Sequence, residues 1–150
     1  NKKGGKIIFV GNGASASLSS HAATDITKQA KIPAIALNDH NLITALSNDY
    51  GYENWISSGL SYYANEKDLL VLFSVSGKSK NLLNAVKYAK QHNINTLSFT
   101  GCNVDNNLKQ ETDFSLWVDC NSYNIVESIH TIWITLIIDL IVGKISYPVN

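Results

Sequence analysis

The sequence predicts an α/β fold, a three-layer α/β/α sandwich around a central, mostly parallel sheet of five strands. Three observations carry that prediction. Short apolar runs at residues 6–10, 32–37, 69–73, 95–99 and 114–118 are rich in branched and aromatic side chains and alternate poorly with polar ones. Strands covered on both faces read this way. Stretches of helical period separate the runs, which calls for crossover connections between parallel neighbours. Turns of small residues follow the strand ends, as the ligand-facing edge of such a sheet requires.

In chain order, the first strand, 6–10, runs into Gly11-Asn12-Gly13-Ala14-Ser15-Ala16-Ser17, and helical spacing then covers 14–30. The second strand is 32–37. Residues 41–47 admit a short helix, and Asn48-Asp49, inside Leu46-Ser47-Asn48-Asp49-Tyr50-Gly51, is expected to be a polar turn. A helix over 52–63 leads to the third strand, 69–73, and the turn Ser74-Val75-Ser76-Gly77-Lys78-Ser79. A helix over 80–91, the strand 95–99, a turn at Gly101, a short helical segment near 106–110 and the strand 114–118 follow. The last helix, 124–141, is apolar on more than one face, so a partner subunit or a further helix is expected to cover it.

Composition limits the possibilities. With 150 residues, 45% of them hydrophobic, the chain has material for one core and one domain spanning 1–150. Twelve basic residues balance 12 acidic ones and none is arginine, a poor endowment for gripping long nucleic acid. Cys102 and Cys120 are too few for a disulfide framework or a cysteine metal knot, so a cytoplasmic protein is expected. The apolar stretch 131–142 carries Asp139 and reads as a buried helix too short to span a bilayer, so no membrane partner is expected.

The two turns at Gly11–Ser17 and Ser74–Ser79 suit an anion. Glycine lets backbone approach a ligand, the first amides of the following helix lack intrahelical acceptors, and serine hydroxyls add rotatable donors. Equally, Ser and Gly after a strand are ordinary turn and N-cap material. Gly77-Lys78-Ser79 is not a P-loop, because the position that motif reserves for its first glycine is Leu72. A dinucleotide fingerprint fits poorly as well: its third glycine is Ala16, and no acidic residue follows the second strand until Asp39.

Other candidates are titratable. His21 and Asp25 lie four apart on the first helix and share a face. Glu127 and His130 lie three apart on the last. Imidazole and carboxylates suit a divalent metal such as zinc or proton exchange with a sugar carbon. The alternatives are a surface pair and a core histidine.

Together these pieces resemble the sugar isomerase (SIS) domain, and within it the phosphoheptose isomerase group, over residues 5–143. The residues that carry the resemblance are Gly11-Asn12-Gly13-Ala14-Ser15, His21 with Asp25, Leu46–Gly51, Ser74–Ser79, Leu97–Gly101 and Val126-Glu127-Ser128-Ile129-His130. It implies a cytoplasmic aldose-ketose isomerase of heptose biosynthesis, converting sedoheptulose 7-phosphate to a heptose 7-phosphate. The alternative is a phosphosugar-binding sensor or assembly module without turnover. The resemblance implies phosphate binding at Ser74, Val75, Ser76 and Ser79, and sugar contacts at Asn12, Gly13, Ser15, Asn48, Asp49 and Glu127. It implies catalysis by Asp25, Glu127 and His130, a zinc ion on His21, Asp25 and Glu127, and a homotetramer whose members begin with a helix absent here. Three positions depart from the family pattern: Asp25 replaces a glutamate, Glu127 a glutamine, and Thr135 the second catalytic histidine.

Overall fold

A computed structural model describes residues 4–143. Five strands, β1 (Ile7–Gly11), β2 (Ala34–Ala36), β3 (Leu69–Ser74), β4 (Asn95–Thr100) and β5 (Phe114–Trp117), form one sheet in the order β2-β1-β3-β4-β5. Every neighbouring pair is parallel. The helices are α1 (Ala14–Asp25), α2 (His40–Tyr50), α3 (Trp55–Tyr63), α4 (Lys80–Gln91), α5 (Asn107–Glu111) and α6 (Tyr123–Val142). The predicted sandwich and its five strands stand, with the sheet wholly parallel.

Strand alternation divides the interior into two cores. Ile8, Val10, Leu70 and Leu72 face α2 to α5, meeting Leu46, Trp55, Ile56, Leu60, Leu82, Val86 and Leu108. Phe9, Val71, Phe73 and Phe99 face the opposite way, onto Leu18, Ala22 and Ile26 and onto Ile134 and Ile138 of α6. Both faces of β3 are therefore buried, which is why it reads as an unbroken apolar run.

Several boundaries differ from the sequence reading for local reasons. The run 32–37 is in strand only over Ala34–Ala36, an edge position paired on one side. The helix expected over 14–30 is continuous but changes pitch: after Asp25 it proceeds as a π-helical turn, Ile26–Ala30, that ends on left-handed Lys31. Asn48 and Asp49 are not a turn; they occupy the last turn of α2, which stops at Gly51. Asp39, the first acidic residue after the second strand, caps α2, its carboxylate accepting from the amides of Asn41 (3.0 Å) and Leu42 (3.2 Å). The Leu42 amide does most to hold that carboxyl below its usual range.

The last helix is longer than the apolar stretch suggested. All 20 residues of α6 are helical, long and apolar enough by composition to cross a bilayer. Val126, His130, Ile134 and Ile138 dock one face on the sheet, while Ile125, Ile132, Leu136 and Leu140 remain exposed. Cys102 and Cys120 are free thiols whose backbones meet, the Cys102 amide donating to the Cys120 carbonyl at 2.9 Å.

Candidate functional site

The direction of winding reverses between β1 and β3, because β2 lies beyond β1 and β4 beyond β3. At such a switch point the turns leaving the two strands diverge and open a crevice above their carboxyl ends. Here those turns are Gly11–Gly13 and Ser74–Ser79, the two small-residue loops of the sequence.

The second loop is shaped by internal hydrogen bonds. Ser74 Oγ, buried, accepts from the Gly77 amide at 3.1 Å, and Ser76 Oγ accepts from the Lys78 amide at 3.3 Å. Ser79 is the N-cap of α4, but its hydroxyl makes no capping bond. Val75 is buried beneath the loop and anchors it through its carbonyl, which accepts from the Gly101 amide at 2.9 Å. Gly77 has φ +64°, and a Cβ there would overlap the Asn106 carboxamide. Only glycine satisfies both constraints. Asn106 is buried and donates through Nδ2 to Thr100 Oγ1 (3.2 Å) and the Asn103 carbonyl (2.9 Å), while its Oδ1 accepts from the Lys109 amide (3.0 Å). It fixes the β4 loop against the serine loop.

The first loop is joined to the second through side chains. Asn12 and Asn81, at the start of α4, form a reciprocal amide pair: Asn81 Nδ2 donates to Asn12 Oδ1 at 2.9 Å, and Asn12 Nδ2 donates to Asn81 Oδ1 at 3.1 Å. Tyr52 adds its hydroxyl to Asn12 Oδ1 at 3.1 Å. Gly13, with φ +59°, opens α1, and Ser15, the second residue of that helix, is buried.

A cleft of about 290 Å³ lies between the N-terminal ends of α1 and α6, lined by Ser15 and Leu18 on one side and by Asn124, Glu127, Ser128, His130 and Thr131 on the other. Gly101 lets α6 come this close, since a Cβ there would stand 2.7 Å from Val126 Cγ1. The Glu127 carboxylate accepts no hydrogen bond among the described residues. His130 is wholly buried among Phe73, Phe99 and Trp133, with Nε2 3.2 Å from the Thr100 carbonyl. A carbonyl only accepts, so Nε2 carries the proton and Nδ1 presents a lone pair. Nδ1 is buried with no partner.

Burial holds the His130 imidazole below its usual range, and the hydrogen bond to Thr100 opposes this only in part. A histidine held neutral in the fold and free to protonate when unfolded makes stability rise with pH. The thermal midpoint is therefore expected to be level above about pH 6.5 and to fall below it, toward the depressed folded value. His130→Gln should flatten that slope in melts between pH 5 and 8; an unchanged slope would assign it to other groups.

The remaining sequence candidates fall in three places. His21 and Asp25 pair on α1, with Nε2 3.2 Å from Oδ2. By helical spacing they continue the row that begins at Ala14 and Leu18. Asn48 and Asp49 are exposed and bonded to each other at 3.0 Å. Thr135 turns its hydroxyl back onto its own helix, donating to the Thr131 (3.0 Å) and Ile132 (2.9 Å) carbonyls. Zinc on His21, Asp25 and Glu127 does not fit: among the described residues no three His, Cys, Asp or Glu side chains converge. The His21–Asp25 pair supplies two donors where zinc takes at least three from protein. Sequence reasoning missed Tyr52, Asn81 and Asn106. Asn81 alone had a local signal, standing in the first turn of a helix that follows a ligand-type loop.

A family model described as the SIS domain matches residues 1–101. The phosphoheptose isomerase of Akkermansia muciniphila is 34% identical over 135 residues, covering 86% of this chain and 71% of the relative. That of Helicobacter pylori is 36% identical over 143 residues, covering 91% and 74%. Among solved structures, the phosphoheptose isomerase of Neisseria gonorrhoeae superposes with a TM-score of 0.89 at 30% identity, covering 95% of this chain and 78% of the other. The one from Francisella tularensis gives 0.88 at 28%, with the same coverage.

Proposed function

The chain belongs to the SIS domain family and is a relative of the phosphoheptose isomerases, and we propose that it interconverts sedoheptulose 7-phosphate and a heptose 7-phosphate. One observation carries the reading. A cleft lined by both Glu127 and His130 lies at the N-terminal ends of α1 and α6, on the strand-end side of the sheet from which the serine loop also leaves. A base, a proton carrier and an anion cradle are what an aldose-ketose isomerisation of a phosphosugar needs.

In this reading the phosphate sits on the free Ser79 hydroxyl, the hydroxyls of Ser74 and Ser76, and the first amides of α4, over the floor made by Val75. The sugar extends over Asn12, Gly13 and Ser15 toward α6. Glu127 takes the proton from the carbon beside the carbonyl and returns it to the former carbonyl carbon, through an enediol. The hydroxyl proton passes to the other oxygen, in this reading by way of His130, so that no atom is gained or lost. Asp25 is less suited, because His21 already engages it. No step is assigned to zinc.

Ser79→Ala is expected to weaken binding of inorganic phosphate by about tenfold, the worth of one hydrogen bond to a charged group, with little change in the melting midpoint. Calorimetric titration checks this; unaltered affinity would remove Ser79 from the phosphate site.

A second reading, a phosphosugar sensor without turnover, is favoured by the back-bonded Thr135 hydroxyl. Solvent deuterium entering the substrate at the carbon beside the carbonyl supports the isomerase. Binding of sedoheptulose 7-phosphate without any such exchange supports the sensor. The exposed row Ile125, Ile132, Leu136 and Leu140 supports a homo-oligomer, which we take to be a tetramer. The two free thiols favour a cytoplasmic setting.

A further inference from the structure

We propose that Asn81 and Tyr52 are positioning residues that lock the Asn12 amide, so that it offers the sugar a hydrogen-bond donor and never an acceptor. The inference rests on the phosphosugar reading of the site and adds the polarity of the group that meets the sugar.

A backbone amide can only donate. The Leu82 amide lies 3.0 Å from Asn81 Oδ1. That fixes which end of the Asn81 carboxamide is oxygen, and Asn81 is 2% exposed, so water does not compete for it. With Asn81 fixed, its Nδ2 faces Asn12 Oδ1 (2.9 Å) and its Oδ1 faces Asn12 Nδ2 (3.1 Å). The reciprocal pair passes the orientation across from α4 to the β1 loop; reversing Asn12 alone would set oxygen against oxygen and amine against amine.

Asn12 Oδ1 then receives a second donor. The Tyr52 hydroxyl reaches it at 3.1 Å, filling both of the oxygen's lone pairs. Tyr52 is 57% exposed, and the bond to Asn12 is the hydrogen bond its hydroxyl makes among the described residues. What Asn12 has left, among the described residues, is one N–H of its Nδ2. A ligand atom at that point must supply a lone pair: a carbonyl, ether or hydroxyl oxygen of the sugar, or the enediolate oxygen as charge develops on it. A ligand presenting only a donor there would be rejected.

Tyr52→Phe tests this, because it deletes one oxygen at an exposed position and leaves the ring. Binding of sedoheptulose 7-phosphate and of inorganic phosphate is measured by titration calorimetry on wild type and variant, together with the melting midpoint. The lock predicts about fivefold weaker binding of the phosphosugar. Phosphate, which meets the serine loop and the first amides of α4 but not Asn12, should bind as in wild type, and the midpoint should be unmoved. A structural role would weaken both ligands together. Equal phosphosugar affinity in variant and wild type overturns the lock while leaving the phosphosugar reading intact. A wild type that binds sedoheptulose 7-phosphate no better than phosphate overturns that reading, and the lock with it. Asn81→Asp keeps the acceptor for Leu82, loses the donor to Asn12 and adds a negative charge in the first turn of α4, so it should weaken both ligands, the phosphosugar by the larger factor; equal factors would count against the lock.

Discussion

Glu127→Gln is expected to lower turnover of sedoheptulose 7-phosphate by about 10²–10⁴-fold, the usual worth of a positioned general base, while binding changes by less than about threefold. The amide keeps the shape of the carboxylate and its place in the cleft but cannot accept a proton. Glutamine is also what the resemblance leads one to expect at this position, so the variant asks whether this chain has moved the base. Turnover within tenfold of wild type would end the assignment and shift attention to Asp25. The companion readout is solvent deuterium exchange, which should fall in parallel with turnover, since both pass through the same proton abstraction. The sites are buried and partly buried, so stability is measured alongside to separate chemistry from folding.

Gly77→Ala is the second large effect. A side chain at φ +64° costs about 1–2 kcal/mol, and forcing Cβ into Asn106 adds about 1–3 kcal/mol of overpacking. The neighbour cannot withdraw easily, because the Asn106 carboxamide is held at both ends, by Thr100 and Asn103 through nitrogen and by Lys109 through oxygen. A loss of about 2–5 kcal/mol is expected in denaturant unfolding. Phosphate affinity should fall with it, as the Gly77 amide is what Ser74 Oγ holds in place. A change under about 1 kcal/mol would mean that the β4 loop yields, and that Asn106 does not fix the serine loop.

The fold was legible because its signals are local. Leu69 to Phe73 is apolar at every position since both faces of β3 are covered, and 80–91 is helical in sequence and in structure because Leu82, Ala85, Val86 and Ala89 repeat on one side. Where the signals failed, tertiary structure overrode them. Asn48 and Asp49 look like turn residues, yet the α2 hydrogen-bond ladder carries them to Gly51. The edge position of β2 shortens a run that composition alone would extend. The candidate loops could be located, since glycine and serine after an apolar run mark a strand end. Their connections could not: Asn12 meets Asn81 across 69 residues, and nothing near either position signals the other. The protonation of His130 was equally hidden, because it depends on a carbonyl of β4 and on three aromatic rings from separate elements.

The placement of α6 also dictates an order of assembly. The phenylalanines of β1, β3 and β4 share one sheet face, and Ile134 and Ile138 cover part of it. Until residues 123–142 have left the ribosome, that surface stays bare beside α1. The parallel pairing of Ile7 with Leu69 must also close over a long intervening segment, which slows folding. Nascent chains of this protein thus pass through a period with an aromatic face open to water, when chaperone engagement and aggregation compete with the docking of one helix.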